Sequence, residues 1–588
     1  MIWVDLMNRE KRKFLVNKAK ISKLWLLFLL LTAFTLIGSC DNNPPLMEPE
    51  LIVFNADIRT VDHNQNRAEA LAIRGGRFVA VGNNEDVLDL KGAGTKSINA
   101  DGATIVPGFI DGHTHLSSGT SIVTGINLTG IEKKSIWLKM IAEKIQAMQP
   151  GEWLLGGRWD YTFEDKGYPT RWELDQVTPN NPVALSDIDG HTMWVNSLAM
   201  EKANIKANSV VPVGGQIMLD QETGEPNGIL LEGAIDLVWR DESYVRDSGK
   251  ARKAIDKVLE FATSLGITSV HDMSSKIELD SYLDLAKRGQ LNVRTFYGQH
   301  SKFDAGDDAT SDKAQIKKLT QQYKFSDPNK GPMVEFGYIK YVLDGVLSTH
   351  TAAMLEPYSD RPDLIGVPFY TQDEIDALVK RANELGFPVA IHAIGDRAVR
   401  MALNAFEKGG DRTLENRIEH IEIIHPDDVP RFKELNVAAS MQPNHGTGVI
   451  GKYITPRVGE ERERNAYVWG DFLRSGAQLA FSSDFSTSPF SPLVHIADAV
   501  FRESPTGLYQ GIWYPKQAVS FDEALYAYTQ SGANLSGWGD EIGSISVGKW
   551  ADFVVLDGAL NDPVGRELKQ RSVAATYLAG RKVFSADD

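Results

Sequence analysis

Short apolar runs alternate with longer helical patterns through most of this chain, from about residue 108 to residue 532. Helical spacing separates several of the runs, for example in Asp373–Leu385 and Ala398–Lys408. The strand candidates are the segment that leads to His113 and then Ile267–Met273, Val293–Gly298, Phe336–Asp344, Pro388–Ile394, Arg417–Ile424, Val437–Gln442 and Leu479–Asp484. Parallel strands need a crossover between neighbours. These β/α units therefore predict an α/β fold, a TIM-type (β/α)8 barrel.

The two ends of the chain carry short strands at close spacing, without a helical pattern between them. Leu51–Ile58 is followed by Ala70–Gly82, which indicates a hairpin turning at Gly75-Gly76. Gly543–Leu556 and Ala574–Phe584 show the same strand and turn pattern. Each end is too small to bury a core alone. We expect residues 51–107 and 533–588 to form one small β-sandwich, with the barrel of residues 108–532 between them.

The interval between His115 and Gly266 is too long for a single crossover. We expect an inserted subdomain at about residues 150–250, which would act as a lid over the barrel mouth. A structural elaboration without contact to substrate is the alternative. The insert is rich in tryptophan, which indicates either its own core or an apolar wall of a binding pocket. These residues are Trp153, Trp159, Trp172 and Trp194.

The first residues of the chain have the pattern of an export signal. A lysine- and arginine-rich leader precedes the uncharged stretch Leu24–Ile37, which is short for a membrane-spanning helix. The following Leu36–Cys40 resembles the lipobox of bacterial lipoproteins. This predicts a signal peptide over residues 1–39, lipidation of Cys40 and a tether over residues 40–50. The protein would then be membrane-anchored outside the cytoplasm, in the periplasm or at the cell surface; an idle cysteine beyond a signal anchor is the alternative.

Composition excludes some kinds of site and partner. Cys40 is the single cysteine, so the chain has no internal disulfide and no thiolate metal site elsewhere. The net charge of −16 argues against a nucleic-acid partner, because an acidic surface repels phosphates. A small-molecule substrate is the expectation that remains, and the oligomeric state stays open.

Polar residues stand at the predicted carboxyl ends of the barrel strands, where a barrel carries its active site. His113 and His115 are two residues apart, so in an extended segment both imidazoles point to one side, as two ligands of one metal ion require. Lys340 lies inside an apolar run, where a lysine is costly unless it is paired or modified. Each residue alone has a structural explanation, but together they form an ordered set that is completed by His392, His420 and Asp484.

This combination resembles the amidohydrolase superfamily, and within it the branch of N-substituted formamide deformylases. The resemblance rests on Pro107–His115, Ile339–Gly345, His392–Arg397, Arg417–His420 and Ser482–Asp484. It implies a barrel flanked by a β-sandwich and a centre of two zinc ions. His113, His115 and Asp484 would hold one zinc and His392 and His420 the other, while Lys340, carboxylated on its amine, would bridge them. Whether one or two metals bind stays open.

The expected chemistry follows from such ions. Zinc makes water acidic enough to supply hydroxide near neutral pH and polarises a carbonyl oxygen. Asp484 would act as the general base and then as the general acid toward the departing nitrogen. Asp189-Gly190-His191 in the insert also resembles a family feature. It makes His191 a second catalytic candidate that would orient the substrate carbonyl, with a structural loop as the alternative.

The sequence therefore predicts a zinc-dependent hydrolase that cleaves a carbon–nitrogen bond of a small amide or formamide. A mononuclear deaminase or cyclic-amide hydrolase is an alternative of the same general class. A surface lipoprotein that keeps the barrel for binding without catalysis is an alternative of another class. The complete ligand set argues against the last, since binding alone does not need Lys340 and Asp484 together.

Overall fold

The structure is a computed structural model. It describes residues 48–131, 133–160, 168–188, 190–212, 214–240, 248–273, 276–300, 309–503, 512–561 and 563–587. The expected signal peptide and Cys40 lie outside these residues. Among the helices that are described, none combines the length and the apolar character needed to cross a bilayer.

Eight parallel strands form the central barrel, in agreement with the expectation. Numbered barrel strands 1 to 8 along the chain, they are Phe109–Thr114, Ile267–Asp272, Arg294–His300, Gly331–Val342, Val389–Ala393, Arg417–His420, Ala438–Met441 and Leu479–Phe481. Each pairs with its neighbour in sequence order from strand 1 to strand 8. The segment after strand 8 nearly closes the barrel against strand 1, because Asp484 N donates to His113 O at 2.9 Å and His115 N donates to Phe485 O at 2.6 Å. The short strand Lys324–Asp327 pairs antiparallel with barrel strand 4.

The crossover between strands 4 and 5 shows why helices form between the strands. The helix Gln372–Glu384 starts with a reciprocal capping box between Thr371 and Glu374. Its buried residues include Ile375, Val379 and Ala382, spaced by three and four so that one face packs on the barrel.

The other helices around the barrel occupy the remaining connections and the segment after strand 8. They are Leu116–Thr124, Ser248–Ser264, Lys276–Lys287, Ala309–Gln322, Asp396–Gly409, Val429–Leu435, Pro443–Thr447, Ile454–Glu463, Trp469–Ser475, Pro492–Phe501, Phe521–Ala527 and Gln530–Leu535. Short 3-10 turns lie at Glu232–Arg240, Pro426–Asp428, Val449–Tyr453, Pro515–Gln517 and Arg566–Gln570.

Strands from the two chain ends meet in a pair of small sheets. One sheet contains Arg77–Gly82, Ala70–Arg74, Leu51–Phe54 and Lys96–Asn99; the other contains Arg581–Ser585, Val573–Leu578, Phe553–Leu556, Thr104–Pro107, Asp57–Arg59 and Arg67–Ala68. The chain ends join where Phe553–Leu556 pairs antiparallel with Thr104–Pro107. Both sheets contribute to one apolar core that includes Val53, Phe78 and Phe553. A short helix, Asn84–Leu88, belongs to the N-terminal part.

The expected boundary at residue 533 falls inside the helix Gln530–Leu535. Ala533 of this helix packs in one cluster with Ile110 of barrel strand 1, and Phe553–Leu556 is the first C-terminal strand of the paired sheets. The division of the chain into separately folding domains stays a prediction.

The insert is a six-stranded sheet between barrel strands 1 and 2. Its strands, in spatial order, are Gln216–Leu219, Pro226–Leu231, Thr192–Val195, Val183–Asp187, Leu154–Trp159 and Ile126–Asn127, and its helices are Lys134–Gln146, Arg171–Val177 and Ser197–Lys202. The sheet begins at Ile126, earlier than the position of about 150 expected for the insert. Trp159 and Trp194 are completely buried in its core with Trp137, so these tryptophans hold the insert together.

Candidate metal centre

The carboxyl ends of the barrel strands bring the expected polar side chains into one region. His113, His392 and His420 lie within the last two residues of strands 1, 5 and 6, and Lys340 lies two residues before the end of strand 4. His115 and Asp484 follow strands 1 and 8 in the segments that pair with each other. His420 and Asp484 have positive φ angles of 76° and 57°, a strained conformation that surrounding structure must maintain.

Asp484 lies at the centre of this group. Its Oδ1 is 3.4 Å from Nε2 of His113 and 3.3 Å from Nε2 of His115. Its Oδ2 is 3.9 Å from Nδ1 of His420 and 3.6 Å from Nε2 of His445. The two carboxylate oxygens therefore face two different pairs of imidazoles.

Two sets of three donors within the described residues are compact enough to hold a metal ion. They are His113, His115 and Asp484, and His420, His445 and Asp484. In each set the donor atoms lie within 4.8 Å of one another. The three residues of the first set are all among the expected ligands. His445, in the short helix Pro443–Thr447 just after barrel strand 7, is not.

His392 and Lys340 border the same region without entering either compact set. The His392 ring lies 4.5 Å from the His420 ring, and its Nε2 is 3.3 Å from the carbonyl oxygen of Gly345. Lys340 is 2% exposed, and its Nζ has no hydrogen-bond partner in the part of the chain that is described. Burial lowers the pKa of this amine to about 8.

Further polar groups contact Nδ1 of His113 and Nδ1 of His420 and orient these rings. Glu419 Oε2 lies 2.8 Å from His113 Nδ1, and its other oxygen is 2.6 Å from Nε of Arg417. Burial raises the pKa of Glu419, but His113 and Arg417 outweigh burial and hold it below its usual range. Gln442 Oε1 lies 2.9 Å from Nδ1 of His420. Such partners fix the ring orientation of metal-binding histidines.

The protonation states suit metal ligation. Burial lowers the pKa of His113 to about 4, and burial also holds the pKa values of His392 and His420 well below their usual range. Burial acts in the opposite sense on Asp484, but His113, His115 and His420 outweigh it and keep its pKa well below the usual range. Neutral imidazoles and an ionised carboxylate are the forms that bind a divalent metal.

The distances also fit a zinc ion. Ligands that are each about 2.0–2.1 Å from a tetrahedral zinc lie about 3.3–3.4 Å from one another. The separations of Asp484 Oδ1 from His113 and His115 have these values. Nε2 of His113 lacks a hydrogen bond among the described residues, although the ring is completely buried. An ion between these atoms would satisfy its Nε2.

A cavity of about 720 Å³ opens above this centre. His115, Lys340, His392, His420 and Asp484 contribute to its floor, together with His445. The insert contributes part of the wall through Arg158, Asp187 and His191. The insert therefore reaches the candidate site, as a lid over the barrel mouth would.

His191 is held in this wall by a carboxylate that the sequence did not reveal. Its Nδ1 lies 2.7 Å from Glu232 Oε2, and Thr351 Oγ1 donates to the other oxygen of Glu232 at 2.8 Å. The His191 ring is 5.6 Å from the ring of His392. Asp189, of the same sequence motif, lies outside the described residues.

Comparisons with known proteins agree with this geometry. A model of the amidohydrolase family, Amidohydro_3, matches residues 96–584. Protein LONG AFTER FAR-RED 3 of Arabidopsis thaliana is 32% identical over 548 residues, which cover 91% of each chain. N-substituted formamide deformylase of Arthrobacter pascens is 29% identical over 550 residues, which cover 90% of this chain and 97% of that protein. A crystal structure of an uncharacterized metal-dependent hydrolase from Pyrococcus horikoshii has a TM-score of 0.70 and 26% identity, covering 88% of this chain and 99% of that one.

Fold, site and relatives together define a metal-dependent hydrolase built on a (β/α)8 barrel. The chain belongs to the amidohydrolase family. It is an enzyme of the class that acts on carbon–nitrogen bonds other than peptide bonds. The resemblance inferred from the sequence motifs is thereby confirmed.

Proposed function

We propose that this protein is a zinc-dependent hydrolase that cleaves the carbon–nitrogen bond of a small amide or formamide. The observation that carries the proposal is the Asp484 carboxylate, which faces His113 and His115 with one oxygen and two further histidines with the other. The relative named as a deformylase of N-substituted formamides supports this choice of bond.

The residues divide into ligands and proton-transfer groups. His113, His115 and Asp484 would hold one zinc, and His392 and His420 would serve a second, with Lys340 as a carboxylated bridging ligand. When bound, zinc polarises the substrate carbonyl and makes water a better nucleophile. Asp484 accepts the proton of the attacking water and transfers it to the nitrogen that leaves.

Burial of Lys340 supports its proposed carboxylation. Its Nζ has no hydrogen bond within the described residues, and an ammonium there lacks the pairing that a buried charge requires. Reaction of the neutral amine with carbon dioxide forms a carbon–nitrogen bond and releases one proton, which leaves an anionic carbamate. The carbamate supplies oxygen donors instead of a cation.

His191 is proposed to orient the substrate carbonyl. It lines the cavity, and Glu232 fixes its ring through Nδ1 at 2.7 Å. Burial acts to raise the pKa of Glu232, but His191 and Thr351 outweigh it and hold the pKa below its usual range.

A substrate screen tests the proposed reaction. Purified protein is stripped with a chelator, reloaded with zinc and incubated with N-formyl and N-acyl amines, cyclic amides and aminated heterocycles. We expect the zinc-loaded protein to release amine from open-chain amides or formamides and the stripped protein to be inactive. Ammonia release from heterocycles alone would favour the deaminase alternative, and no turnover of any compound would favour a binding protein.

Export and anchoring are proposed from residues 1–50 of the sequence. The basic leader, the apolar stretch and Leu36–Cys40 support cleavage before Cys40 and lipidation of its sulfur. Expression of the full chain in a bacterium with labelled fatty acid tests this. We expect label in the membrane fraction for the native sequence and none for Cys40→Ser; equal labelling of both would overturn the proposal.

A further inference from the structure

His445 is a buried histidine that the proposed ligand set does not use. It is 3% exposed, and neither of its ring nitrogens has a hydrogen bond within the described part of the chain. A buried polar group without a partner costs free energy. The ring also borders the cavity, so its orphaned nitrogens lie at the candidate metal centre.

The surroundings of His445 repeat those of His113. His113 has a carboxylate oxygen of Glu419 at 2.8 Å from Nδ1 and an oxygen of Asp484 at 3.4 Å from Nε2. His445 has Glu422 Oε1 at 3.5 Å from Nδ1 and Asp484 Oδ2 at 3.6 Å from Nε2. Metal-binding histidines have this arrangement: one ring nitrogen contacts a carboxylate, and the other points to the metal and its further ligands.

His420 lies beside His445 with its ring nearly parallel. The ring centroids are 5.9 Å apart and the planes differ by 4°. Gln442 fixes the His420 ring through Nδ1 at 2.9 Å. His420, His445 and Asp484 therefore present three buried donors within 4.8 Å of one another. The Asp484 oxygen nearest these two histidines is Oδ2.

We propose that His445 is a ligand of the second divalent metal ion, which it shares with His420 and Asp484. Asp484 then links the two ions, with Oδ1 toward the first and Oδ2 toward the second. This assignment rests on the proposed function for the presence of metal, and it adds a ligand from the segment after barrel strand 7. An open tetrahedral zinc site has three protein ligands. His420, His445 and Asp484 supply three, and His392 and Lys340 of the proposed function lie outside this compact set.

Replacement of His445 tests the assignment by metal content. After chelation and reloading with zinc, we expect wild-type protein to retain two ions per chain and His445→Gln to retain one fewer. His425→Gln is the matched control, because His425 is a half-exposed histidine that does not line the cavity. It should retain the wild-type zinc content. Circular dichroism establishes that each variant is folded.

A second variant reports direct coordination even if His445→Gln is unstable. Cobalt-loaded His445→Cys should show a thiolate-to-cobalt charge-transfer band in the near ultraviolet, because a thiolate at a ligand position binds the ion. Wild type, whose single cysteine is Cys40, and His425→Cys should lack this band. A cobalt-loaded His445→Cys without the band, or a folded His445→Gln with unchanged zinc content and affinity, would overturn the assignment.

The test of His445 as a ligand and the test of the proposed reaction can fail independently. Amide hydrolysis by wild type together with the absence of the cobalt band would overturn only the role of His445. A cobalt band together with no turnover of any amide would support the ligand and overturn only the proposed function.

Discussion

At the scale of single residues, Asp484 connects the parts of the site. Its backbone N–H closes the barrel by donating to His113 O, and its side chain faces both pairs of histidines. Its positive φ of 57° is tolerated because the pairing of its segment with strand 1 fixes the backbone. The same residue therefore contributes to the backbone pairing of the barrel and to the cluster of histidines in the candidate metal centre.

Asp484→Asn should abolish most turnover while the protein stays folded. The amide keeps the size of the side chain but cannot accept the proton of the attacking water, and general acid–base groups contribute about 10²- to 10⁴-fold. Steady-state kinetics on the best substrate of the screen measure the loss, with zinc content determined in parallel. Activity close to wild type would show that Asp484 is not the proton-transfer group.

His191→Ala should lower kcat/KM by about 10- to 100-fold without changing the zinc content. The variant removes the side chain that Glu232 holds toward the cavity, and it leaves the ligands in place. Glu232→Gln should cause a smaller loss, because the amide can still accept a hydrogen bond from Nδ1. An unchanged kcat/KM in His191→Ala would assign the residue to loop structure.

Sequence reasoning could find the residues whose spacing has a geometric meaning. His113 and His115 are separated by two residues in an extended segment, and the other expected residues end recognisable strands. His445 has no such signal, because it lies in a short helix where strand alternation does not apply. Its position just after the predicted strand Val437–Gln442 was the clue available. Glu232 is close to His191 only through the folding of the insert.

At the scale of elements, the strand Leu154–Trp159 of the insert depends on two glycines. Gly156 and Gly157 have φ angles of 117° and 118°. A Cβ on Gly156 would lie 2.1 Å from Ile126 O, and one on Gly157 would lie 2.2 Å from Ser186 O. The neighbouring strands are thus too close for any side chain at these positions, and Gly156 also lines the cavity.

Gly156→Ala should destabilise the insert by about 3 kcal/mol, since the added carbon meets backbone and the φ angle is unfavourable for alanine. Gly130→Ala is the control. Gly130 has a φ of 73°, but no atom lies within 4 Å of the added carbon. The variant should therefore lose only about 1 kcal/mol of unfolding free energy. Thermal unfolding compares the two. Equal melting temperatures in both variants would show that the close strand approach is not required.

The eight barrel strands were predictable because each is an apolar run with helical sequence between it and the next. The strands of the insert were harder to predict from the sequence. Its edge strand Ile126–Asn127 has only two residues, too few for any alternation of apolar and polar side chains, so the sequence alone does not reveal this strand. The expected C-terminal boundary at residue 533 lies inside the helix Gln530–Leu535, which packs on barrel strand 1 through Ala533 and Ile110.

At the scale of the whole molecule, a buried ion pair ties the C-terminal part of the chain to the barrel. Arg294, at the start of barrel strand 3, donates from Nε and Nη2 to Asp552 at 2.7 and 2.9 Å. Their side chains are 0% and 3% exposed. Asp552 also accepts the backbone N–H of Ala579. The C-terminal part is therefore held to the barrel by a buried charge pair as well as by apolar packing.

Asp552→Asn should lower the stability of the whole protein by about 3–5 kcal/mol, because it leaves the buried Arg294 without a compensating charge. Asp363→Asn is the control, since its ion pair with Arg361 is exposed and contributes little. Soluble yield and melting temperature measure the difference. A melting temperature of Asp552→Asn equal to that of Asp363→Asn would contradict the structural role of the pair.

The proposed function requires zinc at the strand ends of this barrel, around Asp484. Crystals grown from zinc-loaded protein and measured on both sides of the zinc absorption edge would locate the metal by anomalous scattering. We expect a strong peak within coordination distance of His113, His115 and Asp484. A zinc peak elsewhere in the molecule, with none near these three side chains, would contradict it.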